Sequence, residues 1–287
     1  MNMSEDWNLK YRTDPRSTDE LLSLALTKDM DADNEEFWHP VRSLQYRLRT
    51  VIERIEELLR NGDPKSRDTA ATILGQSSVK EKWSVPRCVE NLLSAMSRET
   101  SPKVLSSLIH ALGNLHDERS VEAALPYATH PDHEVRYAVV HCLNGHAIDN
   151  AIHAMIQLSS DSDRDVRNWA TFGLGSQIET DTPAIRDALV ARLEDDDAEI
   201  RGEALVGLAE RGDVRVAASF LRELTTIDPE TLRNWVLAID TANAIVRLAE
   251  EAGALIWLPV LEKLQALRIS DSSRVAAAIT RCTSDPT

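Results

Sequence analysis

The sequence predicts an all-α fold, a solenoid of stacked helix pairs. Three observations carry the prediction. First, a short motif recurs. Residues 163–175 read DRDVRNWATFGLG, and segments starting at Asp63, Asp132 and Asp197 keep its spacing: an Asp, an Arg four residues later, and a Leu seven residues after the Arg. A fifth copy, from Ser101 to Leu112, has Leu105 in the Arg slot. Second, the slots lie 38, 31, 31 and 34 residues apart, which leaves room for one further helix per interval and is the period of a two-helix repeat. Third, aromatic residues are 5% of the chain and glycines only ten in 287 residues, with no long alternating Val/Ile run, so small aliphatic contacts between helices replace a sheet core.

Taken in order, residues 1–17 are polar, contain Pro15 and are expected as a flexible lead-in. Thr18 is placed to cap a first helix, with acidic residues in its first turn. After a loop at 30–34, a helix is expected from Glu35 to Leu48, bent at Pro40. Residues 50–60 are amphipathic, with Val51, Ile52, Ile55, Leu58 and Leu59 on one face. Residues 61–64 (NGDP) stop one helix and restart the next, with Pro64 at the first helical position. The second helices of the repeats are read at 85–96, 120–128, 150–158 and 183–193, and an insertion at 76–85 carries Trp83. Asp228 restarts the motif with Leu232 in the slot and Ile239 in the Leu position. The period then decays through helices expected at 241–251, 255–267 and 272–280. The expectation is one solenoid over 18–284, clearest at 50–240, with a degenerate cap at 241–284 whose outer face meets water.

The repeated residues suit a frame. Asp63, Asp132, Asp163 and Asp197 can accept from the free amides of the helix each precedes. Arg67, Arg136, Arg167 and Arg201 sit one turn on, where a guanidinium can bridge to the loop or Asp of the neighbouring repeat and build a ladder. Positions three and seven after the slot share a face and are small or aliphatic in every copy, from Ala70 and Leu74 to Ala204 and Leu208. Gly75, Gly113 and Gly175 follow, letting neighbouring backbones approach or ending the helix.

This pattern, Asp-x-x-Val-Arg followed by Ala-x-x-x-Leu-Gly, resembles HEAT repeats, in particular the bacterial lyase-type HEAT-like repeats, over residues 50–240. The resemblance implies a right-handed α–α superhelix. Segments 165–172, 185–187 and 199–208 look like a group of bacterial HEAT proteins that carry a lyase label, some encoded beside Rhs-type polymorphic toxin genes. That likeness implies a cytoplasmic, non-enzymatic immunity protein that neutralises a toxin domain; the alternative it implies is a lyase-like enzyme acting on a chromophore or another small ligand.

The residues offer little chemistry. Deoxyhypusine hydroxylases resemble this repeat but hold iron with His-Glu pairs just after the slot, where this chain has Asp68-Thr69, Ser106-Ser107, Tyr137-Ala138, Asn168-Trp169 and Gly202-Glu203. Seven of the eight histidines fall between His110 and His153, with His110 and His141 in equivalent positions, but no helical His-x-x-x-His or His-Glu-x-x-His occurs and no metal or cofactor is expected. Cys88, Cys142 and Cys282 are far apart, which fits a reducing compartment. Neither an apolar leader nor a run of apolar residues long enough for a membrane span is present. A net charge of −15 disfavours nucleic acid and anionic lipid and suits a basic protein or peptide.

A partner is expected on the concave face, at positions one, two, five and nine after the slot. There His110, Tyr137, His141, Asn168, Trp169, Phe172 and Glu203 concentrate aromatic and polar groups in the middle repeats, and Tyr137, His141, Trp169 and Phe172 are expected as neighbours.

Overall fold

The structure, a computed structural model, describes residues 3–27, 35–76 and 82–284. Those residues form eighteen α-helices and short 3-10 turns, with no strand. The chain divides into two compact units, 1–143 and 144–287.

The first unit holds α1 (Met3–Arg12), α2 (Thr18–Thr27), α3 (Glu35–Tyr46), α4 (Leu48–Asn61), α5 (Pro64–Gly75), α6 (Val85–Met96), α7 (Pro102–Leu115), α8 (Glu118–Ala124) and α9 (His133–Leu143). The slot-bearing helices α5, α7 and α9 pack directly on one another, and α4, α6 and α8 back them as a second layer. Small residues set the spacing of the slot layer: a Cβ on Gly75 would stand 2.5 Å from the Ala111 Cα, and one on Gly113 2.9 Å from the Cys142 Cα. Val51, Ile52, Ile55 and Leu59 are buried on α4 as the amphipathic pattern requires, while Leu58 at its flank is only half-buried.

The N-terminal segment corrects the expectation of a loose lead-in. It forms α1, and Tyr11 is 1% exposed against α3, its hydroxyl accepting from Arg42 at 2.8 Å. Asp14 is buried too, beside His39 Nε2 at 2.7 Å, so polar contacts join the buried Tyr11 ring in docking this segment. Ser17, not Thr18, caps α2. Its hydroxyl accepts from the Glu20 amide at 3.2 Å while the Glu20 carboxylate accepts from the Ser17 amide at 2.7 Å, a reciprocal capping box. Pro40 is accommodated within α3, and the chain breaks at Arg47, whose guanidinium donates to the carbonyls of Asp14 and Arg16. The loop expected at 30–34 and the middle of the insertion, 77–81, lie outside the described residues.

The second unit holds α10 (Asp149–Leu158), α11 (Arg164–Ser176), α12 (Pro183–Arg192), α13 (Ala198–Glu210), α14 (Val216–Thr226), α15 (Pro229–Asn234), α16 (Val236–Ala252), α17 (Leu258–Leu267) and α18 (Ser272–Thr283). Here α11, α13, α16 and α18 stack in sequence. Between the Arg201 and Leu232 slots, where the motif names no second helix, lies α14, and the segment carrying the Leu232 slot is interrupted. The break falls at Trp235, whose extended backbone places its ring against Gly202, where a Cβ would stand 2.7 Å from it.

The repeated residues are placed by these layers. Asp63, Asp132, Asp163 and Asp197 each accept from amides in the first turn of the following helix, at 2.8–3.3 Å. Ser101 makes no such bond; Glu99 instead accepts from the Thr100 and Ser101 amides at 2.9 Å. Each slot Arg donates back to carbonyls of its own preceding loop: Arg67 to Gly62, Arg136 to His130, Arg167 to Asp161 and Arg201 to Asp195, at 2.8–2.9 Å. The guanidinium of Arg67 also pairs with Glu99 at 2.7 Å, that of Arg167 with Asp195 at 2.8 Å and that of Arg201 with Glu223 at 2.8 Å. These carboxylates are nearly buried and are not the capping Asp residues, which frees each cap for its own amides. Every core pair at three and seven after the slot is sealed, from Ala70 and Leu74 to Ala204 and Leu208. Replacing Asp163 with Ala removes the acceptor for two amides, at 3.0 and 3.1 Å, and is expected to cost about 1 kcal/mol in urea unfolding.

Candidate functional site

In the first unit the stacked slot helices leave a groove of about 370 Å³ on their open side. Its floor is the close contact of Gly75 with Ala111, where only small residues fit. Its walls are rings: His110 from α7, Tyr137 and His141 from α9, and Trp38 from α3. The His110 ring lies 5.6 Å from Tyr137 and 4.8 Å from His141, centroid to centroid, so the equivalent positions of the two histidines do bring them together. His141 Nε2 stands 3.0 Å from the Asn114 Oδ1; protonated there, it donates to the amide oxygen. Burial, followed by the neighbouring His141, pushes the imidazolium of His110 down to about 4. Burial and then His116 lower His141 as well. Near neutral pH both rings are uncharged aromatic walls with one acceptor nitrogen each.

Ser107 also lines the groove. Its hydroxyl donates to Asp68 Oδ1 at 2.5 Å, behind the wall, and no hydrogen bond joins it to either imidazole among the described residues. The partner of the serine hydroxyl is thus a carboxylate and not a histidine.

In the second unit Trp169 is 44% exposed and meets the half-buried Phe172 edge to face at 5.6 Å. The two other residues expected on the open face are not on it. Asn168 is 7% exposed and Glu203 9%, and each has a side-chain oxygen without a hydrogen-bond partner. The reason is helix spacing. A Cβ on Gly175 would lie 3.1 Å from the Glu203 carbonyl, and Leu237 and Trp235 close over Gly202, so Glu203 falls into a seam between helices. Burial first, then Glu199 and Asp240, push the Glu203 carboxyl up to about 7.

A larger cavity of about 690 Å³ lies over α11, α13 and α16, lined by Val206, Glu210, Asp240 and Arg247 among others. Arg211 borders it but is fully engaged. Its guanidinium donates to the carbonyls of Leu174, Gly175, Ile178, Thr180 and Gly207, tying the C-terminal ends of α11 and α13 to the turn after α11. Neither Arg211 nor Trp38 was singled out by the motif: Arg211 falls ten residues after a slot, and Trp38 lies outside the repeats.

His130 Nδ1 accepts from the Asp132 amide at 3.1 Å and so shapes the loop before α9. No group of three His, Cys, Asp or Glu that could hold a metal ion occurs among the described residues. All three cysteines are buried and none is in a disulfide among the described residues, and burial pushes the Cys142 thiol up to about 12. Among the described residues no helix is long and apolar enough to cross a membrane.

The HEAT-repeat sequence pattern matches residues 89–155 and 152–240, together just over half of the chain. The chain belongs to the HEAT-repeat family. It is similar to protein YibA of Escherichia coli K12, 28% identical over 223 residues, which cover 74% of this chain and 73% of YibA. The X-ray structure of E. coli YibA superposes on this HEAT-repeat chain with a TM-score of 0.73 at 24% identity, covering 99% and 98% of the two chains. Kap95p, whose binding induces the switch loops of RanGDP to adopt the GTP-bound conformation, matches with a TM-score of 0.68 at 16% identity over 96% of this chain and 44% of its own. Importin beta matches with a TM-score of 0.64 at 14% identity over 95% of this chain and 47% of its own. At these identities the structural likenesses establish the all-α HEAT solenoid as the fold.

Proposed function

We propose that this HEAT-repeat protein is a non-enzymatic binding scaffold that holds a protein or peptide against the groove between α3, α5, α7 and α9. One observation carries the reading: an open groove whose walls are Trp38, Tyr137 and two uncharged imidazoles, built on rigidly stacked helices. Large rings presented at low conformational cost are what anchor sites on partners dock against. Among the described residues the groove has no serine–imidazole pair, since Ser107 is engaged by Asp68. Trp169 offers a second exposed ring in the other unit. Kap95p supports the reading by analogy, as a HEAT-like chain that binds another protein. The net charge of −15 favours a basic partner.

The cellular role proposed is that of a cytoplasmic immunity protein that neutralises a toxin domain by covering it, a reading that rests on the likeness of segments 165–172, 185–187 and 199–208 to HEAT proteins encoded beside toxin genes. Occlusion needs only a preformed, complementary surface, which stacked helices supply. The test is capture of the partner from the native host with the tagged full chain, followed by affinity measurement. Tyr137→Ala and Trp169→Ala are each expected to weaken binding by about 1 kcal/mol or more, with helix content unchanged. Unchanged affinity in both variants overturns the docking assignment. A captured partner whose toxicity persists in co-expression overturns the immunity role alone.

A further inference from the structure

We propose that the groove of the first unit receives an arginine side chain of the partner, its guanidinium stacked on the rings of Tyr137, His110 and His141 and hydrogen-bonded to Ser107, which is backed by the buried carboxylate of Asp68. The inference rests on the docking reading above and names the chemistry that the groove selects.

Four observations lead to it. Among the described residues that line the cavity there is no Lys, Arg, Asp or Glu. The lining is rich in acceptors. Because the Ser107 hydroxyl gives its proton to Asp68, its lone pairs remain for a ligand donor, and each neutral imidazole contributes one acceptor nitrogen. Asp68 itself is under-compensated. It is 4% exposed, and apart from Ser107 its nearest cation among the described residues is Lys103 at 3.6 Å, on a side chain that is 73% exposed. A buried carboxylate ordinarily has a close cation or several donors. The aromatic faces supply the rest, since a cation over a ring is attracted by its quadrupole. The chain uses this contact elsewhere: Arg49 sits 4.6 Å over the Trp83 ring, and Arg42 5.8 Å over Trp38, where Glu35 balances its charge.

A guanidinium fits these demands better than an ammonium. It is planar, weakly hydrated, stacks on aromatic faces and presents five donors. An acidic chain draws such a side chain in from a distance.

The experiment titrates the full chain with acetyl-Gly-Arg-Gly-amide and with its citrulline counterpart, which keeps the shape and loses the charge, while NMR follows the imidazole signals of His110 and His141. The arginine peptide is expected to shift both signals saturably and to bind at least about tenfold more tightly than the citrulline peptide, with Asp68→Asn removing that difference. Ser107→Ala, which keeps the buried carboxylate but loses the acceptor, is expected to weaken the arginine peptide several-fold, and it serves as the readout where Asp68→Asn fails to fold. Equal binding of the two peptides, no saturable shift with arginine, or no effect of either variant overturns the inference. The docking reading fails separately, when the captured partner ignores both Tyr137→Ala and Trp169→Ala; a partner that needs Tyr137 yet shows no preference for arginine leaves the groove standing and removes only its proposed ligand.

Discussion

Replacing Arg211 with Met is expected to be among the most damaging single changes in the second unit, costing about 3–5 kcal/mol and lowering the melting temperature by roughly 10 °C. Among the described residues the arginine makes no ion pair with a carboxylate. Its five donors serve carbonyls at the ends of α11 and α13 and in the turn at 178–180. The final carbonyls of a helix have no intrahelical partner and carry its negative end, so a cation is well placed there. Burial lowers the guanidinium pKa but leaves it charged, with nearby Asp181 acting in the opposite direction. Methionine fills similar volume without a donor, and several half-buried carbonyls lose their partners together. Lys in the same place restores charge but not the five-donor fork, so Arg211→Lys should recover less than half of the loss. Thermal unfolding of both variants decides the matter; a shift of only a degree or two for Arg211→Met means that water satisfies those carbonyls.

Replacing Glu203 with Gln is expected to stabilise the protein at pH 8, by on the order of 2 kcal/mol, and to change little at pH 4.5. The carboxyl is 9% exposed, one oxygen has no partner, and its pKa is raised to about 7 by burial, with Glu199 and Asp240 adding to the effect. In the unfolded chain the same group titrates at an ordinary value near 4.5. Between those two values the folded protein holds a proton that the unfolded chain has released, so stability falls as pH rises through the window and the full cost is present above it. Glutamine has the same shape and never ionises. Denaturant unfolding of both proteins at the two pH values provides the comparison. A variant equal to or weaker than wild type at pH 8 shows that the carboxylate is solvated or paired in the folded state.

Glu203 also shows why part of the site was not legible in the sequence. Its position, two residues after the slot, is filled by Ser107 in the first unit and by the exposed Trp169 in the second. A spacing rule treats these as one class. Their exposure depends on how closely the adjoining helices approach, and that is set by residues elsewhere: Gly175 against α13, and Leu237 with Trp235 over Gly202. His110, Tyr137 and His141 were legible because the helices that carry them have the regular 31-residue spacing, so equivalent positions do meet. Trp38 reaches the same groove from outside the repeats, and α1 is docked by polar contacts that carry no periodic signal.

The sequence by itself determined the helices of the repeats, their caps and their core. Those depend on interactions within a few residues: an Asp before a helix, a Pro at its first position, a Leu returning to one face. Tertiary structure decided which carboxylate each slot arginine reaches, which polar side chains vanish into seams, and that Asp68, thirty-nine residues before Ser107, stands behind it. Those outcomes depend on the distance between helices far apart in the chain, and that distance is fixed by the packing of small residues that no local pattern records.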